Sequence, residues 1–141
     1  ELGCTLRQVV EALPVAMRRF APAELFVETM TDVAGWGDIT LIVHTDDGIM
    51  EFGGAIPEGK IAQGYYNLPG RAGFHGHLLH ERCAGIAFVE RPLFGRLSAS
   101  ILFFNVDGGI MFKIFVGRDE KRELLTEQLA AFRKLADRLC G

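Results

Sequence analysis

The stretch S-A-S-I-L-F-F-N-V (Ser98–Val106) runs into D-G-G (Asp107–Gly109) and then into I-M-F-K-I-F-V (Ile110–Val116). β-branched and aromatic residues dominate both arms. The Asp-Gly-Gly between them tolerates the positive φ of a tight return, so the three pieces read as a β-hairpin. Two-residue alternation shows at Ile101 and Phe103 and at Met111, Lys113 and Phe115, yet Leu102 and Phe104 are apolar too. A strand apolar on both sides lies between two layers or at a subunit contact.

Moving outward, Ile39–Thr45 is rich in β-branched residues, Asp46-Asp47-Gly48 is a turn, and Ile49–Gly53 is the return strand of a second hairpin. Pro57-Glu58-Gly59 is a further turn. Ile61–Leu68, Gly73–Leu79 and Cys83–Glu90 read as strands, with breaks at Pro69-Gly70 and His80-Glu81. Helical spacing appears at the two ends. Thr5 is a good N-cap for Leu6, Val9, Val10 and Leu13, stopped by Pro14. Phe26, Met30 and Val33 predict a helix over Pro22–Ala34, ended by Gly35. Leu129, Phe132, Ala136 and Leu139 form one stripe after Thr126, and the charged run Gly117–Glu123 reads as a solvated junction with Asp119 as the cap. Helices, many antiparallel strands, then helices again predict an α+β fold, a large antiparallel sheet flanked by N- and C-terminal helices. No linker or repeat interrupts it, so residues 1–141 read as a single domain. The sequence opens at Glu1 without Met, so a short upstream segment is expected.

Charge and composition narrow the function classes. The 141 residues carry 15 Lys and Arg against 18 Asp and Glu, a formal charge of -3. That balance speaks against non-specific nucleic-acid binding, which needs excess cations. The cysteines, Cys4, Cys83 and Cys140, are far apart with no C-x-x-C pair, so they read as reduced thiols of a cytoplasmic protein rather than a zinc knuckle. The apolar run at Ile101–Phe104 is strand-sized, and nothing is long enough to span a bilayer. G-x-G-x-x-G, P-loop and nucleophile-elbow patterns do not occur.

The four histidines are His44, His75, His77 and His80, three of them within F-H-G-H-L-L-H (Phe74–His80). In a strand, His75 and His77 share a face roughly 7 Å apart. Gly76 leaves the opposite face open to a close approach. His44 ends a strand just before a turn, and Tyr65 and Tyr66 lie in G-Y-Y-N-L (Gly64–Leu68). Imidazole and tyrosinate are both protein ligands of haem iron. Two histidines on an exposed sheet face also commonly pair only with their neighbours. Zinc is open as well, although no third or fourth ligand sits at zinc-site spacing.

Six stretches carry a family resemblance: G-W-G-D-I-T-L-I-V-H-T (Gly35–Thr45), G-Y-Y-N-L, H-G-H (His75–His77), A-F-V-E-R-P-L-F-G (Ala87–Gly95), S-I-L-F-F-N-V-D-G (Ser100–Gly108) and M-F-K-I-F-V-G-R-D-E-K-R-E-L-L-T-E-Q (Met111–Gln128). The sequence resembles the bacterial cytosolic haem-utilisation carriers of the HutX/ChuX-like family. The resemblance implies the HemS/ChuX-like fold, a homodimer, and a protein that binds haem after import and passes it to a downstream haem-accepting or haem-degrading protein. It further implies haem binding by His44 of V-H-T, by His77 of G-H and by Tyr65, which opens Y-x-N-L. Tyr65 and His77 are the candidate axial ligands to the haem iron, with His75 a weaker addition, since it is not uniformly present in relatives. No family motif maps to His80. The alternative function is a haem-degrading enzyme releasing iron, but no flavin or nicotinamide signature supports one. A carrier acting in bacterial haem uptake and iron acquisition is the favoured expectation.

Overall fold

A computed structural model describes residues 3–70 and 73–141 of the chain. In chain order the elements are α1 (Leu6–Glu11), β1 (Arg18–Ala21), α2 (Phe26–Val33), β2 (Ile39–Thr45), β3 (Gly48–Gly54), β4 (Lys60–Ala62), β5 (Tyr65–Leu68), β6 (Gly76–Leu78), β7 (Cys83–Leu93), β8 (Arg96–Asn105), β9 (Ile110–Phe115) and α3 (Thr126–Leu139). Short 3-10 turns precede β1, α2 and β7. The fold is α+β. A six-stranded antiparallel sheet in the order β1-β7-β8-β9-β2-β3 carries the core, and β4-β5-β6 form a separate three-stranded sheet.

The hairpin of β8 and β9 lies near the middle of the large sheet, and its turn is pinned by its own sequence. Asn105 Oδ1 accepts from the backbone N–H of Asp107 at 2.8 Å and of Gly109 at 3.1 Å. Both faces of β8 are covered within one chain. Ile101 and Phe103 belong to the main core with Phe26, Met30 and Val33 of α2 and with Phe132 and Leu135 of α3. Leu102 and Phe104 turn the other way and join Ala87, Val89 and Val10 of α1 in a second cluster. The two-sided apolar strand is therefore the middle of three layers, and its burial needs no second subunit. Phe26 links the layers of the main core, with its ring 5.4 Å from Phe103 and 5.6 Å from Tyr66.

Several boundaries differ from the sequence reading. The strand expected over Ile61–Leu68 is a two-strand hairpin, because Gln63 and Gly64 both take positive φ, 56° and 84°. That is the left-handed pair a two-residue return requires. β7 runs on to Leu93 through Pro92 instead of stopping at Glu90. β1 pairs with β7 only over Ile86–Val89, so Pro92 lies beyond that neighbour and its missing N–H costs no bond on that side. The helix expected over Pro22–Ala34 is α-helical only from Phe26 to Val33. β1 carries too few apolar residues to announce itself. Asp119 does not cap α3; its carboxylate accepts from the N–H groups of Lys121 and Glu123 and closes a local turn. Thr5 does cap α1, in a reciprocal box with Gln8.

Candidate functional site

Tyr66 decides where Tyr65 points. The Tyr66 ring is fully buried, and its hydroxyl oxygen accepts from the N–H of Gly59 at 3.0 Å. Gly59 is required there, because a Cβ would stand 2.6 Å from the Tyr66 ring and 2.7 Å from the carbonyl oxygen of Asn67. With Tyr66 and Leu68 locked inward, the two-residue alternation of β5 turns Tyr65 and Asn67 outward. Register does the rest. Ala62 pairs with Tyr65, Lys60 with Asn67, and Asn67 with His77, so Lys60, Asn67 and His77 form one cross-strand row on the outer face.

The result is an open groove of about 350 Å³ lined by Ala62, Gln63, Tyr65, Asn67 and His77. Tyr65 is 39% exposed, and its ring centroid is 5.9 Å from that of His77 at 72° between planes. Asn67 is the organising residue. Its Nδ2 donates to the carbonyl oxygens of Lys60 at 3.1 Å, Ala62 at 3.2 Å and Tyr65 at 3.3 Å. That leaves Oδ1 facing His77 Nδ1 at 2.6 Å. An amide oxygen only accepts, so Nδ1 carries the proton and Nε2 of the neutral ring keeps its lone pair. A hydrogen-bonded imidazole with a free Nε2 beside a half-exposed phenol is a donor set suited to haem iron. Lys60, on the same face, supplies a cation of the kind that pairs with a carboxylate.

The other histidines stand elsewhere. His44 is exposed on β2, on the same side as Thr40 and Ile42 and opposite Ile39 and Leu41, which face the core shared with the small sheet. His44 does not line the groove. His75 precedes β6 and is exposed two residues before His77. His80 turns inward, with its ring 6.2 Å from Phe26 and its Nδ1 buried without a hydrogen-bond partner. Among the described residues no three His, Cys, Asp or Glu side chains converge on one point. The structure thus brings Tyr65 and His77 together in one groove, which neither His44 nor His75 lines. Asn67, Gln63 and Lys60 were not singled out as site residues from the sequence. Asn67 was within reach, since it stands two residues from Tyr65 and therefore shares its face.

The family described as Haem utilisation ChuX/HutX matches residues 19–135. An intracellular heme transport protein HutX of Vibrio cholerae serotype O1 (strain ATCC 39315 / El Tor Inaba N16961) is 41% identical over 139 residues, covering 96% of this chain and 70% of that protein. Among solved structures, a protein from Erwinia carotovora is 46% identical with a TM-score of 0.94, over 98% of this chain and 86% of that one. The heme binding protein ChuX is 44% identical with a TM-score of 0.90, over 97% of this chain and 85% of that one.

Proposed function

The chain belongs to the haem utilisation ChuX/HutX family, and from that premise we propose that it carries haem in the cytoplasm and hands it on without breaking the ring. The observation that carries this reading is the pairing of Tyr65 with His77 beneath one groove, with Asn67 fixing the imidazole so that Nε2 is free. Haem is a flat apolar disc with two carboxylates, so its holder needs a shallow apolar seat, one axial donor and a cation at the rim. Ala62 and the Tyr65 ring offer the seat, Tyr65 oxygen or His77 Nε2 the donor, and Lys60 the cation. An open groove with few ligands suits cargo that must leave again.

The homodimer and a downstream acceptor belong to the same reading, as does a single carrier domain over residues 1–141. His75 borders the disc from beside His77, and His44 enters as a residue that a second subunit brings to the haem. The alternative, haem degradation, is separated by its chemistry: it consumes a reductant and releases iron.

The test is an absorption titration with hemin on the unaltered protein and on the Tyr65→Phe, His77→Ala and His44→Ala variants. Saturable binding that Tyr65→Phe or His77→Ala weakens, with an altered Soret band, supports the site. Unchanged spectra and affinity in all three variants eliminate it. Adding a reductant to the haem complex in the presence of catalase then reads the activity: a stable Soret band marks a carrier, and its loss with iron release marks an enzyme.

A further inference from the structure

Strand β3 closes one end of the large sheet and has no strand on its far side. A free edge offers unpaired N–H and C=O groups to any other strand, so natural edges are kept short or guarded by charge, proline or a bulge. The other free edges among the described residues follow that rule. β1 has four residues, two of them Arg18 and Arg19. β4 and β6 have three each, and β4 opens with Lys60. The part of β7 that extends beyond β1 carries Arg91 and Pro92. β3 differs. It runs for seven residues, Gly48–Gly54, without Lys, Arg or Pro. It pairs with β2 residue for residue, from Thr45↔Gly48 to Ile39↔Gly54, with no bulge to twist it away.

We infer that β3 is a docking edge, where an extended segment of a different protein adds as a further strand, with a cation at its centre and apolar residues around it. The unguarded backbone sets the class of ligand, because main-chain groups in a row are satisfied by another strand. Gly53 supports close approach. A Cβ there would meet nothing within 4 Å, so packing within this chain does not demand glycine, and a strand glycine admits another backbone. The side chains set the pattern. Ile49 and Met50 are 57% and 70% exposed. Alternation puts Ile49 and Glu51 on one side of the strand and Met50 and Phe52 on the other. Glu51 is exposed and makes no ion pair among the described residues, so a cation directly opposite it gains a cross-strand partner. Two copies of β3 paired antiparallel about Glu51 would instead set carboxylate against carboxylate, which favours a different chain as the occupant. The edge also communicates with the small sheet. The Phe52 ring lies 4.4 Å from that of Phe74, three residues before His77. The proposal uses the edge alone and stands whether or not the groove holds haem.

The experiment titrates the uniformly ¹⁵N-labelled, haem-free full chain with three capped peptides, T-T-V-K-V-V-T, T-T-V-E-V-V-T and T-T-V-P-V-V-T, following amide shifts. Saturable shifts centred on Ile49–Phe52 and reaching Phe74 are expected with the lysine peptide. The glutamate peptide is expected to bind about fivefold more weakly, the exchange of an opposite-charge pair for a like-charge one. Proline removes an N–H from the added strand, so the third peptide is expected not to bind. In Glu51→Lys the order of the first two peptides is expected to reverse, and this exposed substitution leaves the core untouched. Shifts that do not saturate overturn the proposal, as do equal binding of the proline peptide and an order that Glu51→Lys leaves unchanged. Amide shifts of Ile49–Phe52 that depend on protein concentration, in a chain that ignores all three peptides, would give the edge to a second copy and overturn it as well. A hemin titration of the same sample reads the groove separately.

Discussion

His77 Nδ1 lies 2.6 Å from Asn67 Oδ1, across neighbouring strands of the small sheet. The Asn67 amide is itself immobilised by the three carbonyl oxygens that its Nδ2 reaches. A backbone feature, the β4–β5 hairpin, thus dictates the tautomer of an exposed histidine.

Removing that control is expected to weaken haem binding without removing the ligand. Partners that orient a ligating histidine are worth about 10–100-fold in affinity. Asn67→Ala is expected to fall in that range by hemin titration, with His77→Ala at least as severe. The melting curve of Asn67→Ala separates loss of orientation from loss of the hairpin. A variant that melts normally and binds hemin with unchanged affinity would show that Asn67 does not position His77.

Gln128 makes the sharpest stability prediction. This nearly buried side chain ties three segments together. Its Oε1 accepts from the Gly117 N–H at 2.8 Å, and its Nε2 donates to the carbonyl oxygens of Trp36 at 3.1 Å and Asp38 at 2.6 Å. Gln128→Leu leaves those three backbone groups without this partner at about the same side-chain volume. Each group left unsatisfied in a buried setting costs about 1–3 kcal/mol, and partial hydration brings the expected total to roughly 3 kcal/mol by urea denaturation. Hemin binding, at the distant groove, is expected to be unchanged.

What the sequence disclosed follows the range of the interactions involved. The β8–β9 hairpin was legible because Asp107-Gly108-Gly109 and its β-rich arms act locally. The capped α1 was legible for the same reason. The turn at Phe94-Gly95 was not, because Phe94 takes φ 54° where a glycine or asparagine is the usual signal. Gln128 reads as an ordinary polar residue in a helical stripe, and only the tertiary approach of Trp36 and Asp38 makes it a clamp. Within the site, Tyr65 and His77 were found as donor types, whereas their adjacency depends on the pairing of β5 with β6, which no local pattern specifies. His44 illustrates the converse, for its side of the sheet follows from β2 alternation but the location of the small sheet does not.

His80 carries a cost with no visible return. Its Nδ1 is buried beside Phe26 without a partner, a loss of about 1–3 kcal/mol relative to water. His80→Leu removes the polar atom at similar bulk and is expected to stabilise the fold by about 1 kcal/mol, read as a higher denaturation midpoint at constant slope. Haem binding is expected to be unaffected. A destabilised variant, or one with an altered Soret band, would mean that the nitrogen has a partner or a role in the loaded protein.

Cys83 bears on the ligand set, because thiolate, unlike thiol, binds iron. Burial pushes its pKa up, against the weaker opposing effects of the Gly85 backbone and of the nearby Arg7 charge. Burial raises the Cys140 thiol as well. Both are therefore thiols at neutral pH, and Cys83→Ala is expected to leave the hemin spectrum unchanged. The same shifts set an alkaline limit on stability. Below the ordinary thiol pKa of about 8.5, folded and unfolded chains are both protonated and nothing is lost. As pH rises past that value the unfolded thiols ionise first, while the folded ones hold their protons until their raised pKa is reached. The unfolded state then binds fewer protons, and stability falls with pH. Urea midpoints measured from pH 7 to pH 10 are expected to decline above about pH 8.5, and less steeply in Cys83→Ala. Alkylation gives an independent reading: exposed Cys4 is expected to react with iodoacetamide well before Cys83. Equal labelling rates for Cys4 and Cys83 at pH 7.5 would contradict the burial argument and add a thiolate to the candidate iron ligands.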